Sequence, residues 1–370
     1  MRKPKNLHVH VDMLVDWRFG RDILKGLLEA NRASRWGWGV TSPLWKQDEV
    51  WSLKKDQPED AVIGMFHDER RAKTWRDKGA RIINVAGVLE EPEGVYTVTV
   101  DNRQVGRMAA AHFTDRGFQS FAYISHRNSP ASHLRRAGFA EGIGDTHELR
   151  THFDLKPEAL SSFLKTLPVP TAIFCFQDAE ARGVVNVLDQ LGRSVPEEFA
   201  VLGVNDDPID NGLSPVPLSS IDIRPHIIGQ RAAEALHTLL QGGEIPRCQL
   251  LQPGELIVRH SSDIYALNDP AVAALLRRIR ERACEGIRVK DVMRPGDGSR
   301  RGMELKFKRL LGRTIEGEIR RCRLEAAREM LLGSSKNISE IADACGFCNT
   351  PHFSRMFRDT YGVPPGNYRS

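Results

Sequence analysis

Residues 1 to about 258 alternate short apolar runs with segments of helical periodicity. The stretch "LHVHVDML" reads as a strand, and "GRDILKGLLEANRA" after it as an amphipathic helix. The same pair recurs as "DAVIGMF" with "ERRAKTWRDKG", "RIINVAG" and then "NRQVGRMAAAHFTDRG", "SFAYIS" with "SHLRRAGFAEGI", and "TAIFCF" with "AEARGVVNVLDQLG", before "EFAVLGVN". Buried strands alternating with helices predict βαβ units and parallel sheets. About 250 residues is large for one such sheet, so two lobes with a cleft between them are expected.

Past "GELIVRHSSDIYALNDP" the pattern changes. From Ala271 onward there is only helical periodicity broken by Gly and Pro, and Asn268-Asp269-Pro270 is a turn and helix start. The expected organisation is an α/β body at 1–258, a linker at 259–270 and an all-α tail at 271–370. The tail repeats itself loosely. "VKDVM" is followed by "MELKF" and "ISEIA" by "HFSRMF", with "TIEGEIRRCRLEAAREMLL" as one long helix between them. Two small helical units on a joining helix are therefore predicted, at about 286–308 and 337–358.

The second unit contains Cys345-Gly346-Phe347-Cys348, whose spacing raises the question of a redox couple or half a zinc site. Cys345 falls four residues after Ile341 on the apolar face of a helix that Ser335 or Asn337 would cap, and Gly346 stands where a helix ends in a left-handed turn. A reactive thiolate belongs at a helix N-terminus after a strand, and structural zinc needs four ligands, whereas no second CxxC or HxxxH accompanies this one. Packing is the better reading. Phe347 then plugs the core and Phe353, Met356 and Phe357 line the inner face of the next helix, with Cys348 in its first turn. Asn349, Thr350, His352, Arg355 and Arg358 project outward, which is the pattern of a helix-turn-helix that enters a DNA major groove.

Charge supports this division. The chain carries 53 Lys and Arg against 48 Asp and Glu, a net of +5. From Arg259 onward there are 22 against 14, and before it 31 against 34, so a mildly acidic body carries a basic tail suited to a polyanion. No apolar run reaches the length of a signal peptide or a membrane span, and six scattered cysteines do not make a disulfide framework; a reducing cytoplasm is expected. The sequence contains no G-x-S-x-G, P-loop, G-x-G-x-x-G or H-E-x-x-H, so catalysis, a cofactor and a metal are not expected. The alternative is a sugar-binding protein or sugar-acting α/β enzyme that does not bind DNA.

"ISEIADACGFCNTPHFSRMFRDTYGVPPGNYR" resembles the second helix-turn-helix of the AraC/XylS family of transcription regulators, and "GIRVKDVMRPGDGSRRGMELKFKRLLGRT" resembles the first. The first departs from the family in its turn, where Pro295, Gly296 and Gly298 replace a regular helix end, with Ser299 as an N-cap for the next helix. "VTVDNRQVGRMAAAHF", "SHLRRAGFAEGI", "TAIFCFQDAEARGVV" and "VPEEFAVLGVNDDP" resemble the effector domains of the LacI/GalR family, which have a periplasmic-binding-protein-like fold. The combination resembles a subgroup of AraC/XylS regulators that respond to a sugar.

The partners implied are double-stranded operator DNA, a sugar effector (D-xylose or a relative), a second copy in a homodimer, and RNA polymerase. Candidates for reading bases are Arg300, Arg301, Glu304 and Lys306 in the first unit and Asn349, Thr350, His352 and Arg355 in the second. Lys308, Arg313 and Arg358 are candidates for phosphate. For the sugar, the resemblance implies Arg135 and the loop containing Asn205 and Asp206, where Asn205 replaces a frequent Asp. Gln177 and Asp178 lie at a strand end facing a crevice, and Trp17, Phe19 and Arg21 lie in the first βα loop. Asp178 and Asp206 are equally suited to capping or bracing a loop.

Overall fold

A strand that is apolar along its whole length needs cover on both faces of its sheet. Ala61–Gly64, Phe121–Ile124, Thr171–Cys175 and Phe199–Val204 are buried at every residue. The computed structural model describes residues 7–13, 18–41, 61–67, 69–88, 94–126, 128–264, 269–311, 313–334 and 336–368. The chain divides into two units, Met1–Ile264 and Tyr265–Ser370.

The first unit begins β1 (His8–Asp12), α1 (Arg18–Ala33), β2 (Gly39–Thr41), β3 (Ala61–Gly64), α2 (Glu69–Asp77), β4 (Arg81–Asn84), β5 (Val95–Val100) and α3 (Asn102–Thr114). It continues with β6 (Phe121–Ile124), α4 (Pro130–Ile143), β7 (Leu149–His152), α5 (Pro157–Lys165), β8 (Thr171–Cys175) and α6 (Asp178–Gln190). It ends with β9 (Phe199–Val204), α7 (Pro208–Leu213), β10 (Ser219–Ile221), α8 (Pro225–Leu240), β11 (Cys248–Leu251) and β12 (Leu256–Ile257). Among the described residues these form two six-stranded sheets, in the orders β11-β5-β4-β3-β1-β2 and β12-β10-β9-β8-β6-β7. All pairings are parallel except that β12 runs antiparallel to β10. The chain passes from the first sheet to the second after β5, and β11 brings it back before β12 returns to the second. Each sheet is thus the floor of one lobe.

Helices α3 and α4 pack backbone to backbone. A Cβ on Gly106 would lie 2.1 Å from the Arg135 carbonyl oxygen, and one on Gly138 would lie 1.9 Å from that of Arg103. This close approach brings Arg135 of α4 within reach of the start of α3.

Arg259 to Asp263 belong to the first unit and not to the linker expected at 259–270. The Ser261 hydroxyl donates to the Val201 carbonyl at 2.6 Å and accepts the Ser219 N–H at 2.9 Å, while the Arg259 N–H donates to the Ser219 hydroxyl at 2.8 Å. Buried serines thereby satisfy backbone groups of β9, β10 and the segment that follows β12.

The second unit runs α9 (Pro270–Arg282), α10 (Val289–Val292), α11 (Arg300–Leu311), α12 (Ile315–Gly333), α13 (Ile338–Ala344), α14 (Thr350–Tyr361) and α15 (Pro365–Tyr368). Asp269 caps α9 by accepting the N–H groups of Ala271 and Val272. Asn337 caps α13 in a reciprocal box with Glu340. Leu324, Ala327 and Leu331 of α12 form one core with Ile341, Cys345, Phe347, Phe353 and Phe357.

Candidate functional site

In the first unit a cleft of about 520 Å³, including its open mouth, lies where strand ends of the two sheets face each other. That is where ligands of parallel α/β sheets sit. Its wall includes Phe19, Met65, His67, Thr99, Asn102, Ser129, Arg135, Phe176, Gln177, Asn205 and Ile223. Arg135 is 4% exposed. Its Nε donates to Asn102 Oδ1 at 2.8 Å, its Nη1 donates to the Phe176 carbonyl, and its guanidinium lies 4.5 Å over the Phe176 ring. Nη2 is left without a protein partner among the described residues. Burial lowers the guanidinium pKa to about 10, which leaves it charged at neutral pH.

Of the residues expected here, Phe19, Arg135, Gln177 and Asn205 line the cleft. Arg21 does not: α1 buries Gly20, Ile23, Gly26 and Leu27, which turns Arg21 to the exposed side. Asp178 also turns away. Its carboxylate accepts the Asp207 N–H and the Ser220 hydroxyl, each at 2.7 Å, and burial pushes its pKa well above the carboxylate range. Asp206 pairs with Arg259 at 2.7 Å. Asn205 and Asp206 are consecutive left-handed residues, at φ +104 and +51, so Asp178 braces a strained turn that presents Asn205. Trp17 lies outside the described residues. Met65, His67, Thr99, Asn102 and Ile223 were not anticipated; their position at or just past strand ends is the signal that would have found them.

In the second unit the turn between α13 and α14 has the expected form. Cys345 is buried, Gly346 has φ +74, and Phe347 is 7% exposed. Cys348 is exposed and precedes the cap Asn349, so it lies in the turn and not in the helix. With one thiol in the core and the other at the surface, the two cysteines share no site. Among the described residues no cluster of His, Cys, Asp and Glu is arranged to hold a metal.

The outward face of α14 follows from its buried Phe353 and Phe357: Arg355 and Arg358 are exposed opposite them. Asn349 Oδ1 accepts the His352 N–H at 2.8 Å as the helix cap. Thr350 donates to the Ser339 hydroxyl at 3.2 Å, and His352 lies edge-on to Phe347 with Nδ1 3.8 Å from Cys348 Sγ.

The first helix-turn-helix of the tail differs more from expectation. Helix α10 has four residues, and a seven-residue turn separates it from α11, with Gly296 and Gly298 both at positive φ. Ser299 caps α11 through the Gly302 N–H. Helix α11 buries Met303, Phe307 and Leu311. Arg300 pairs with Glu304 at 2.9 Å on one flank and Lys306 with Asp269 at 3.0 Å on the other, so neither cation stands on the outward face. That face consists of Arg301, Leu305, Lys308 and Arg309, of which Leu305 and Arg309 were not anticipated. Arg313 is bound to Glu318. Between the two helix-turn-helix motifs of the tail, the 19 residues of α12 span about 28 Å at about 1.5 Å each, close to one turn of DNA.

A periplasmic binding protein-like domain model matches residues 110–262, and a helix-turn-helix domain model matches residues 298–370. The chain is 29% identical over 371 residues to the xylose operon regulatory protein of Escherichia coli strain K12, covering 95% of this chain and 94% of that one. The xylose operon regulatory protein of Haemophilus influenzae is 27% identical over 372 residues, 95% of each chain. The solved structure of a xylose-binding transcription activator matches with a TM-score of 0.74 at 28% identity, over 99% of this chain and 98% of that one. The lac repressor dimer bound to operator shares the fold of 70% of this chain and 95% of its own, with a TM-score of 0.59 at 18% identity.

An effector domain of this fold joined to a helix-turn-helix tail defines a DNA-binding transcription regulator and not an enzyme. Over nearly its whole length the chain is similar to xylose operon regulatory proteins, and its two matched domains are those that the resemblance to AraC/XylS regulators with a LacI/GalR-like effector domain implies. Among the described residues no helix is long and apolar enough to cross a membrane.

Proposed function

We propose that the protein regulates carbohydrate-utilisation genes in the cytoplasm: a sugar enters the cleft of the effector unit, and the tail reads operator DNA. The observation that carries this reading is Arg135, a buried cation lining the cleft with one guanidinium nitrogen unpartnered. A sugar hydroxyl completes its hydrogen bonding, Phe19 offers a face for the ring, and Gln177 and Asn205 supply paired donors and acceptors. Asp178 and Asp206 act as positioning residues for the Asn205 turn. The names of the relatives make D-xylose the first effector to test.

A sugar that binds the closed lobes better than the open ones shifts their population, and the two tails of a homodimer carry the result to DNA and to RNA polymerase beside it. In the tail, Arg301 and Arg355 contact bases, and Lys308 and Arg358 contact phosphates.

A thermal-shift screen over pentoses and hexoses, paired with gel-shift titration of a promoter fragment, tests the reading. D-xylose is expected to raise the melting temperature and change the shift. Arg135→Lys, which keeps the charge but loses the planar fork, should weaken the sugar response at least about tenfold in a folded protein. Arg355→Ala should lower operator affinity about tenfold or more without changing sugar binding. A protein that responds to no sugar, or that shifts no promoter DNA, contradicts the proposal.

A further inference from the structure

We infer that Leu305 reads DNA, with its isobutyl group packed against the C5-methyl of a thymine in the major groove entered by α11. This rests on the reading of the tail as a DNA-binding domain. A single exposed leucine means little by itself. What singles this one out is its position. Leu305 is 64% exposed and lies about 160° around the helix from both Met303 and Phe307, so it is at the middle of the outward face.

The tandem repeat gives a second measure. Phe307 and Phe357 occupy matching core positions, as do Met303 and Phe353. That register places Leu305 where the second unit has Arg355, and Lys308 where it has Arg358. The position that holds a cation in one recognition helix therefore holds an apolar group in the other.

The charges around it point to the same partner. Arg301, Lys308 and Arg309, which flank Leu305, are exposed and make no hydrogen bond or ion pair among the described residues. The cations off this face are neutralised, Arg300 by Glu304 and Lys306 by Asp269. An apolar centre with unpaired cations beside it matches a groove floor bordered by phosphates. The thymine methyl is the apolar group that a base pair presents on the major-groove edge. The first half-site is then read for a T·A pair and the second, through Arg355, for a G·C pair.

The test uses operator duplexes selected by the full-length protein from a random-sequence pool, with and without D-xylose. Thymine is replaced by uracil, first throughout and then one position at a time, which removes only the methyl. For the wild type, one uracil position in the first half-site should weaken binding about threefold to fivefold, the effect of one buried methyl. Leu305→Ala should weaken binding to thymine-containing operator and abolish the distinction between thymine and uracil at that position. Leu305→Arg, which copies the second unit, should move the preferred base there from T to G. Because Leu305 is exposed, neither variant should lower the melting temperature. Equal binding of wild type to thymine and uracil operators, or an undiminished uracil effect in Leu305→Ala, overturns the inference. A change in oligomeric state in Leu305→Ala with an unchanged base preference overturns it too, by placing Leu305 in a protein contact. Failure to select any operator removes the DNA-binding reading itself and this inference with it.

Discussion

The two helix-turn-helix units of the tail follow one plan but are fastened differently. In the second, the turn is held by apolar packing. Phe347 meets Phe353 at 4.9 Å, Phe357 meets Tyr361 at 4.6 Å and Tyr368 at 5.3 Å, and the backbone at Gly346 presses against Cys284. In the first, Val292, Met303, Phe307 and Leu311 form the core, but the turn itself is tied by charge. Asp297 accepts from Arg278 at 2.6 Å and from the Arg294 N–H at 2.8 Å. Where α12 begins, Glu318 is fully buried, is bonded to Arg313 and Arg321, and lies 4.0 Å from Arg280 of α9. A turn rich in glycine offers few apolar contacts, so ionic ties take their place. The first unit should therefore respond to pH and salt, and the second to steric change.

The largest effect is expected at Glu318. Burial raises its pKa, but Arg321 and Arg313 outweigh burial and hold it at about 2. Its folded pKa is depressed, so its contribution is fully present above the ordinary value of 4.5 and is lost as pH falls from there to about 2. That difference corresponds to about 3 kcal/mol. Glu318→Gln leaves the arginines uncompensated and should cost about 3 kcal/mol or more at neutral pH, while removing this portion of the acid sensitivity. All six tryptophans lie within the first 75 residues, so tryptophan fluorescence follows the effector unit alone. Loss should therefore appear in the far-ultraviolet helical signal and not in fluorescence. An unchanged acid profile in Glu318→Gln would show that the cluster does not fasten the unit.

Gly346→Ala comes next. The left-handed backbone costs an alanine about 1 kcal/mol or more. A Cβ would also stand 2.7 Å from the Cys284 carbonyl oxygen and 2.7 Å from the Gly286 nitrogen, adding about 1–3 kcal/mol of crowding. At Gly298 the backbone is also left-handed, but a Cβ meets nothing within 4 Å. Gly298→Ala should thus cost only the backbone part, and the difference between the two melts measures how tightly the second turn is packed. Equal losses would mean that packing adds nothing there.

A smaller effect is expected from Asp297→Asn, which breaks the tie to Arg278 but keeps an acceptor for Arg294. Loss of about 1 kcal/mol is expected at low salt, shrinking toward zero in molar salt as the pair is screened. Gly346→Ala should show no such salt dependence. A loss for Asp297→Asn that is the same at both salt concentrations would remove the electrostatic side of the comparison.

Periodicity makes the strands, the helices and the second turn legible, because burial sets spacing locally: Ile341, Cys345, Phe353 and Phe357 mark the core by their spacing alone. Asn337 is legible as a cap for the same reason. The orientation of carboxylates at strand ends is not. Asp178 turns from the cleft because Ser220 and Asp207, 42 and 29 residues away, are folded against it, and no local pattern records that. Arg135 is legible only through likeness to a family, since a buried arginine on a helix has no spacing signal. On α11 the expectation and the geometry part in places: taking the readers from polar residues selects Arg301 on the outward face but also Arg300 and Lys306, which are ion-paired on the flanks. The helical positions of Met303, Phe307 and Leu311 already place Leu305 outward.

Asn349 gives the smallest expected effect, and it separates two roles that the sequence leaves superposed. The side chain caps α14 by accepting the His352 N–H at 2.8 Å, while its amide nitrogen lies 3.7 Å from Cys348 Sγ. Serine keeps the capping acceptor but lacks the amide that pairs with adenine. If capping is the role, Asn349→Ser should leave both stability and operator affinity within about twofold of wild type, whereas Asn349→Ala should cost about 1 kcal/mol of tail stability. If the amide reads a base, Asn349→Ser should lose operator affinity about tenfold with its melting curve unchanged, and the loss should fall on one base pair of the second half-site. The structure favours the cap, because an oxygen committed to a helix N-terminus cannot turn to a base without freeing the His352 N–H. The second unit would then read DNA chiefly through Arg355, the counterpart of Leu305, so that one outward position on each recognition helix carries most of the choice of sequence.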